Sequence, residues 1–218
     1  MIYSNNRKLQ LSGWLQKNGI TEYNSPLKLQ KFLFLYEAFA KSEGENVDFS
    51  HLRGYERGPV FSNVWGDYTK DRIEFNIAAK REFERPQERI NTDRAKRSHF
   101  IVMTLSEREL SELTHKMNIW KCKEKRIKSG EYQVNLEEND FNESDRKMMA
   151  LLSDMFPISM IDNSFVFECN SKYFVLNKDD MTRLTEQHYN TLATLSDNAE
   201  LHNPVYVEID DGGCLLID

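Results

Sequence analysis

Ser25-Pro26-Leu27-Lys28-Leu29-Gln30-Lys31-Phe32-Leu33-Phe34-Leu35-Tyr36-Glu37-Ala38-Phe39-Ala40 is the stretch that decides the fold. The Ser25 hydroxyl can accept from an unpaired first-turn amide, and Pro26 suits the first helical position, where its missing N–H costs nothing. Leu29, Phe32, Leu33, Tyr36 and Ala40 then recur at helical spacing. Leu27, Phe34 and Phe39 add apolar surface on the rest of the cylinder. A helix that is apolar on most sides is buried on most sides. The pattern predicts a central core helix that ends near Gly44, with other elements wrapped around it.

On the amino-terminal side, a helix is expected from about Asn6 to Asn18. Leu11, Trp14 and Leu15 share its face, Gly19 ends it, and Thr21–Asn24 is a short connection. On the other side, Phe49–Tyr55 reads as extended or irregular. Gly58-Pro59 reads as the start of a third helix, with Phe61, Val64, Trp65 and Tyr68 on its burial face. A further helix is expected over about Asp71–Glu84, interrupted by Pro86, and a polar one over Gln87–Ser98.

Ser106-Glu107-Arg108-Glu109 is a capping box, in which serine and glutamate each satisfy an amide of the first turn. Leu105 and Leu110 fit the hydrophobic staple, and Leu110, Leu113, Met117 and Trp120 continue one face. Acidic residues at the start and the run Lys121, Lys123, Lys125, Arg126, Lys128 at the end complement the dipole of one long helix that Ser129-Gly130 breaks. Glu137–Asn142 reads as an acidic, exposed connection. Beyond it the pattern changes. A short helix over Asp145–Phe156 stops at Pro157. Two hairpins turn at Asn170-Ser171 and at Asp210-Asp211-Gly212-Gly213, and Asn177 caps a helix running to about Leu195.

The charge distribution supports a division. Residues 80–128 carry 14 Lys and Arg against 8 Asp and Glu, whereas residues 131–218 carry 5 against 18. A basic middle and an acidic tail suggest two parts that face each other or a charged partner. The net charge of −6 argues against general attraction to nucleic acid. Cys122, Cys169 and Cys214 lie far apart and make neither a disulfide framework nor a metal motif. No apolar run is long enough to span a bilayer, and the first residues carry no secretory segment, so a cytoplasmic location without membrane attachment is expected.

Three segments, in order, resemble the SocA-like, or Panacea, antitoxin-domain family. Leu27–Tyr36 is similar to the family's early "K-L-Q-K-L-L-Y" helix. Gly54-Tyr55-Glu56-Arg57-Gly58-Pro59-Val60-Phe61-Ser62-Asn63-Val64 is similar to its "Y-G-P-V" segment, with Arg57 in place of the usual aromatic. Leu110-Ser111-Glu112-Leu113-Thr114-His115, followed by Trp120, resembles its late "L-S-x-L-T-H…W" helix. The resemblance covers residues 1–142. It implies a compact, mainly α domain over 1–142; it does not account for 143–218, whose hairpins and helices read as a small added α+β extension, so that the whole is expected to be mainly α. It also implies a phage- or mobile-element-associated antitoxin that neutralises a cognate toxin protein by direct contact, and that in some members delivers the toxin to a protease of the Clp type.

The residues that carry the resemblance have two readings each. Leu29, Leu33, Tyr36, Gly58, Pro59 and Val60 are structural. Lys28, Gln30 and Lys31 form either a narrow solvent-facing stripe or an anchor for a loop or a partner carboxylate. Burial decides between these, because a buried polar side chain must find partners. Tyr55 and Arg57 either mark a bend or contact a partner, as residue types enriched at the energetic centres of interfaces. Phe61, His115 and Trp120 complete the partner-binding candidates. A packed, hydrogen-bonded His115 is the plainer reading than a catalytic one.

No catalytic residue, metal ligand or cofactor is assigned. His51, His99, His188 and His202 lack ligand spacing, and Asp210–Gly213 lacks the ladder of a calcium loop. No phosphate-binding loop, nucleophile elbow or dinucleotide fingerprint is present. Two alternatives stand beside the antitoxin reading: a regulator that binds nucleic acid through Trp120 and the lysine run, and an enzyme whose site is assembled from distant residues.

Overall fold

The structure is a computed structural model that describes residues 1–85 and 90–218. The chain begins with helices α1 (Asn6–Asn18), α2 (Ile20–Asn24) and α3 (Pro26–Ser42). The hairpin β1 (Leu52–Tyr55) and β2 (Gly58–Phe61) follows. Then come α4 (Ser62–Lys70), α5 (Arg72–Phe83), α6 (Thr92–Thr104), α7 (Glu107–Lys116), α8 (Asn118–Lys121), α9 (Glu124–Lys128) and the short strand β3 (Val134–Asn135). The remainder comprises α10 (Glu143–Met155), α11 (Ile158–Asn163), β4 (Ser164–Cys169), β5 (Lys172–Asn177), α12 (Lys178–Met181), α13 (Glu186–Ser196), β6 (Val205–Ile209) and β7 (Leu215–Ile217). The architecture is mainly α with an α+β carboxy-terminal portion.

Helix α3 occupies the centre. Ser25 accepts from the Lys28 amide, Pro26 sits in the first turn, and every residue from Lys28 to Ala40 is buried. Leu29, Leu33 and Tyr36 lie in the main core, where Trp14 of α1 stacks on Phe32 with ring centroids 5.7 Å apart. Helix α1 also packs along α5, an approach that Gly13 permits because a side-chain carbon there would overlap the Ala79 carbonyl. A charged network lies inside this half. The fully buried Glu37 pairs with Lys8 at 2.6 Å and Arg7 at 2.8 Å, so its charge is compensated rather than orphaned.

Several expectations are corrected here. Gly58–Phe61 forms β2, paired antiparallel with β1, and the helix begins only at Ser62; Pro59 is therefore a strand residue and not a helix start. Trp65 stays 38% exposed, while Asp67 is buried, accepting from the Tyr3 amide at 2.9 Å and from the amide and hydroxyl of Ser4 at 2.6 Å each. Thr21–Asn24 belongs to a short helix. Of the helix expected over Gln87–Ser98, Pro86 and residues 87–89 lie outside the described residues. The observed α6 reaches Thr104, and its Phe100, Ile101 and Val102 are buried where it packs along α3. The long helix after Ser106 is three pieces. The capping box at Ser106 is formed, but α7 ends at Lys116 and Met117 is extended, because the buried Asp145 carboxylate accepts from the amides of Asn118 (2.5 Å) and Ile119 (3.0 Å) and starts α8. The helix expected from Asn177 to Leu195 is likewise divided, into α12 and α13.

Two sheets are present among the described residues, a three-stranded one in the order β2-β1-β3 and a four-stranded one in the order β4-β5-β6-β7. Both expected carboxy-terminal hairpins form, and β5 pairs parallel with β6 across the α12–α13 crossover. Phe174, Leu176, Leu192, Val205 and Val207 make a second core there. The main core continues past residue 142, since Met149, Leu152 and Phe156 of the α10 region join it.

Candidate functional site: a bolted cleft

Strand β2 is the outer strand of its sheet and turns its free edge towards α3. An unpaired strand edge carries amides and carbonyls that must be satisfied if they are not solvated. From α3, Gln30 does this at the edge itself, and Lys31 does it in the turn that precedes β2. The Gln30 Oε1 accepts from the Phe61 amide at 2.8 Å, and the Lys31 amine donates to the Arg57 carbonyl at 2.6 Å. Gln30 and Lys31 are thus buried anchors of a loop, which overturns the reading of them, with the buried Lys28, as a solvent-facing stripe.

Lys31 reaches further. Its amine donates to Thr114 Oγ1 at 2.9 Å, and that hydroxyl donates in turn to the Leu110 carbonyl at 3.0 Å, so α7 is tied to the same point. No carboxylate forms an ion pair with Lys31 among the described residues. Burial without a counter-charge pushes its pKa down from 10.5 to about 7. Gly58 lies directly over this junction with φ of +104°, and a side-chain carbon there would overlap both the Lys31 amine and the Thr114 hydroxyl. The third signature segment closes the bolt. Trp120 is buried, its indole N–H donates to the Tyr55 carbonyl at 3.0 Å, and its ring stacks on His115 at 3.9 Å between centroids. Burial, then the nearby Lys31 charge, holds the His115 pKa below its usual value against an opposing hydrogen bond to the Glu56 backbone.

All three segments therefore meet at one junction, and beside it the first two line a cleft of about 500 Å³. Gln30 and Lys31 contribute to its lining from α3, together with Pro26 and Leu27 at the helix start. Tyr55, Glu56, Arg57, Pro59 and Val60 line it from the hairpin, and Trp65 and Glu107 complete it. A second concavity of about 430 Å³ shares Arg57 and Glu107 and continues over α7 past Arg108 and Ser111. The Arg57 side chain is 74% exposed and makes a long ion pair, 3.7 Å to Glu107. Tyr55 packs edge-on against the exposed Tyr132, 6.3 Å between centroids.

The candidates divide by burial. Tyr55 and Arg57 are available to a partner. Phe61 and Trp120 are fully enclosed, with Phe61 beneath the Lys8 ammonium at 4.2 Å, and they hold the cleft without facing out of it. His115 is half-buried behind Trp120. The sequence reading missed Trp65, which it placed in the core, and Leu27, Glu107 and Thr114. Helical spacing gives no signal for a residue whose partner lies on another element.

The carboxy-terminal portion abuts one wall of this site. Lys28 lies over the Tyr173 ring at 4.7 Å and donates to its hydroxyl at 3.3 Å. The Asn203 amide donates to Glu109 of the capping box at 2.9 Å. The basic run after Trp120 is largely neutralised by its neighbours: Lys123 pairs with Asp140, Arg126 with Glu131 and Lys128 with Glu124. Among the described residues there is no group of three or more His, Cys, Asp and Glu that could hold a metal, and no helix long and apolar enough to cross a membrane. Neither a protein-family model nor a curated protein nor a solved structure matches the chain.

Proposed function

We propose that the protein is a binding module of the antitoxin type, which neutralises a cognate toxin protein by direct contact through the face that surrounds the cleft. The observation that carries this reading is the convergence of Leu27–Tyr36, Gly54–Val64 and Leu110–Trp120 at one junction, bolted by Lys31, Gln30 and Trp120, with the cleft opening beside it. The resemblance to the SocA-like, or Panacea, family rests on the same three segments. A rigid hairpin tip that displays Tyr55 and Arg57, with Trp65 of α4 beside it, suits occlusion, in which a pre-folded surface covers the toxin's working site. Aromatic and arginine anchors dominate the energy of such contacts, and an interface of about 1,600 Å² in total is of ordinary size. The protein performs no chemistry in this reading. Residues 143–218, docked beside the cleft, supply the choice of toxin, and delivery to a Clp-type protease is the further step that the family resemblance implies.

The test is co-expression with the product of the adjacent gene. A stable complex and restored growth are expected with the wild-type chain. Both are expected to be lost with the pair Val60→Arg and Trp65→Ala, while circular dichroism and the melting temperature stay near those of the wild type. Growth arrest that persists in the presence of the wild-type protein, with no complex formed, would refute the reading.

A further inference from the structure

The walls of the cleft define the kind of segment it accepts. Pro26, Leu27, Pro59, Val60 and Trp65 make an apolar slot, and the free edge of β2 offers no spare amide there, since Gln30 takes the Phe61 N–H and Pro59 has none. A partner therefore enters by side chains and not by adding a strand. The surroundings are acidic. Glu56 and Glu107 lie on the rim, where the exposed Arg57 offsets part of their charge by pairing with Glu107. Just beyond Leu27, the carboxylates of Glu22, Glu168, Glu107 and Glu109 surround the single Lys28 amine, whose pKa burial nevertheless lowers. Behind them stands the portion 143–218, with 14 Asp and Glu against 5 Lys and Arg. Two of its five cations, Lys172 and Lys178, are turned to the backbone carbonyls of Leu201 and Asp162.

Building on the protein-binding function proposed above, we infer that the cleft receives a cationic segment of the partner polypeptide. A bulky apolar side chain of that segment fills the Leu27–Val60–Trp65 slot, and flanking Lys or Arg residues lie against Glu56, Glu107, Glu168 and the anionic portion beyond. The apolar slot supplies affinity through desolvated contact. The carboxylates supply orientation and encounter rate, which added salt screens.

The experiment uses the full-length protein and a peptide library in which a central Trp, Phe or Leu is flanked by Lys/Arg, by Asp/Glu or by Ser/Gly. Enriched peptides are measured by fluorescence polarisation. The basic-flanked class is expected to be selected, with affinity that falls as ionic strength rises. Trp65→Ala is expected to weaken it by at least about tenfold, and Glu56→Lys and Glu168→Lys each by severalfold. Val60→Trp, which fills the slot, is expected to abolish it. Selection of neutral or acidic-flanked peptides would overturn the inference while leaving a protein-binding function intact. Equal capture by the wild type and Val60→Trp would overturn docking in the cleft altogether, and the growth-rescue experiment then decides separately whether the module neutralises a toxin through another face.

Discussion

Replacing Lys31 with methionine keeps the length of the stem and removes the amine that ties α3 to the hairpin and to α7. The consequence for stability depends on pH in a direction that the burial fixes. In the unfolded chain this lysine holds its proton up to its ordinary pKa of 10.5, whereas in the folded protein it releases it near 7. Between those values the unfolded state binds more protons, so stability rises with pH; below the folded pKa the full cost of burying the charge is present, and above 10.5 none is. The slope approaches about 1.4 kcal/mol per pH unit at its steepest. Integrated from about pH 7, where the native amine is half-protonated, to about pH 9, it comes to about 2 kcal/mol.

The variant has no such proton. Its lost hydrogen bonds to the Arg57 carbonyl and Thr114 shift its stability by an amount that does not vary with pH. Urea unfolding of both chains at several pH values is the assay. The difference in unfolding free energy, wild type minus variant, is expected to grow by about 2 kcal/mol across that range. Parallel curves would show that the amine carries its charge at no cost, and would refute the account of Lys31 as an uncompensated buried cation.

Gly58→Ala is expected to destabilise by about 2 kcal/mol or more, because φ of +104° strains any side chain and the added methyl displaces the Lys31 amine; thermal or urea denaturation checks this. Gln30→Leu leaves the Phe61 amide buried without an acceptor, for a loss of about 1–3 kcal/mol. Hydrogen exchange of that amide is expected to accelerate while amides in α1 and α5 keep their protection, except where opening is global. Asp145→Ala removes the acceptor from the Asn118 and Ile119 amides, at a cost of about 1–3 kcal/mol. It is also expected to loosen Trp120, visible as a shift in tryptophan fluorescence.

Much of the fold is written locally in the chain. The α3 repeat, the Ser25-Pro26 start, the Ser106–Glu109 box and the Asn170-Ser171 turn each state their structure within a few residues, because caps, turns and helical faces are short-range devices. The segments that build the site were also recognisable, through order and spacing. Their arrangement into a cleft was not. Trp65 falls on the apolar period of α4 yet lies at the rim, since its neighbour is a groove and not a packed element.

Gly58–Phe61 shows where local information ends. A proline φ suits the first turn of a helix and a strand edge equally, and the choice was made by pairing with β1 and by Gln30, 31 residues earlier, accepting from Phe61. Likewise, Leu110 to Trp120 keeps a helical period, but Asp145, 27 residues beyond Asn118, breaks it. Sequence alone determined that α1, α3, α5, α10 and the start of α7 are helical and where the α3 core lies, because those preferences are set by neighbours along the chain. Only the tertiary structure decided that Lys31 is a buried bolt and that Arg57 is exposed at the rim of a cleft. Solvation and hydrogen-bond partners depend on what lies across space, and no spacing rule encodes them.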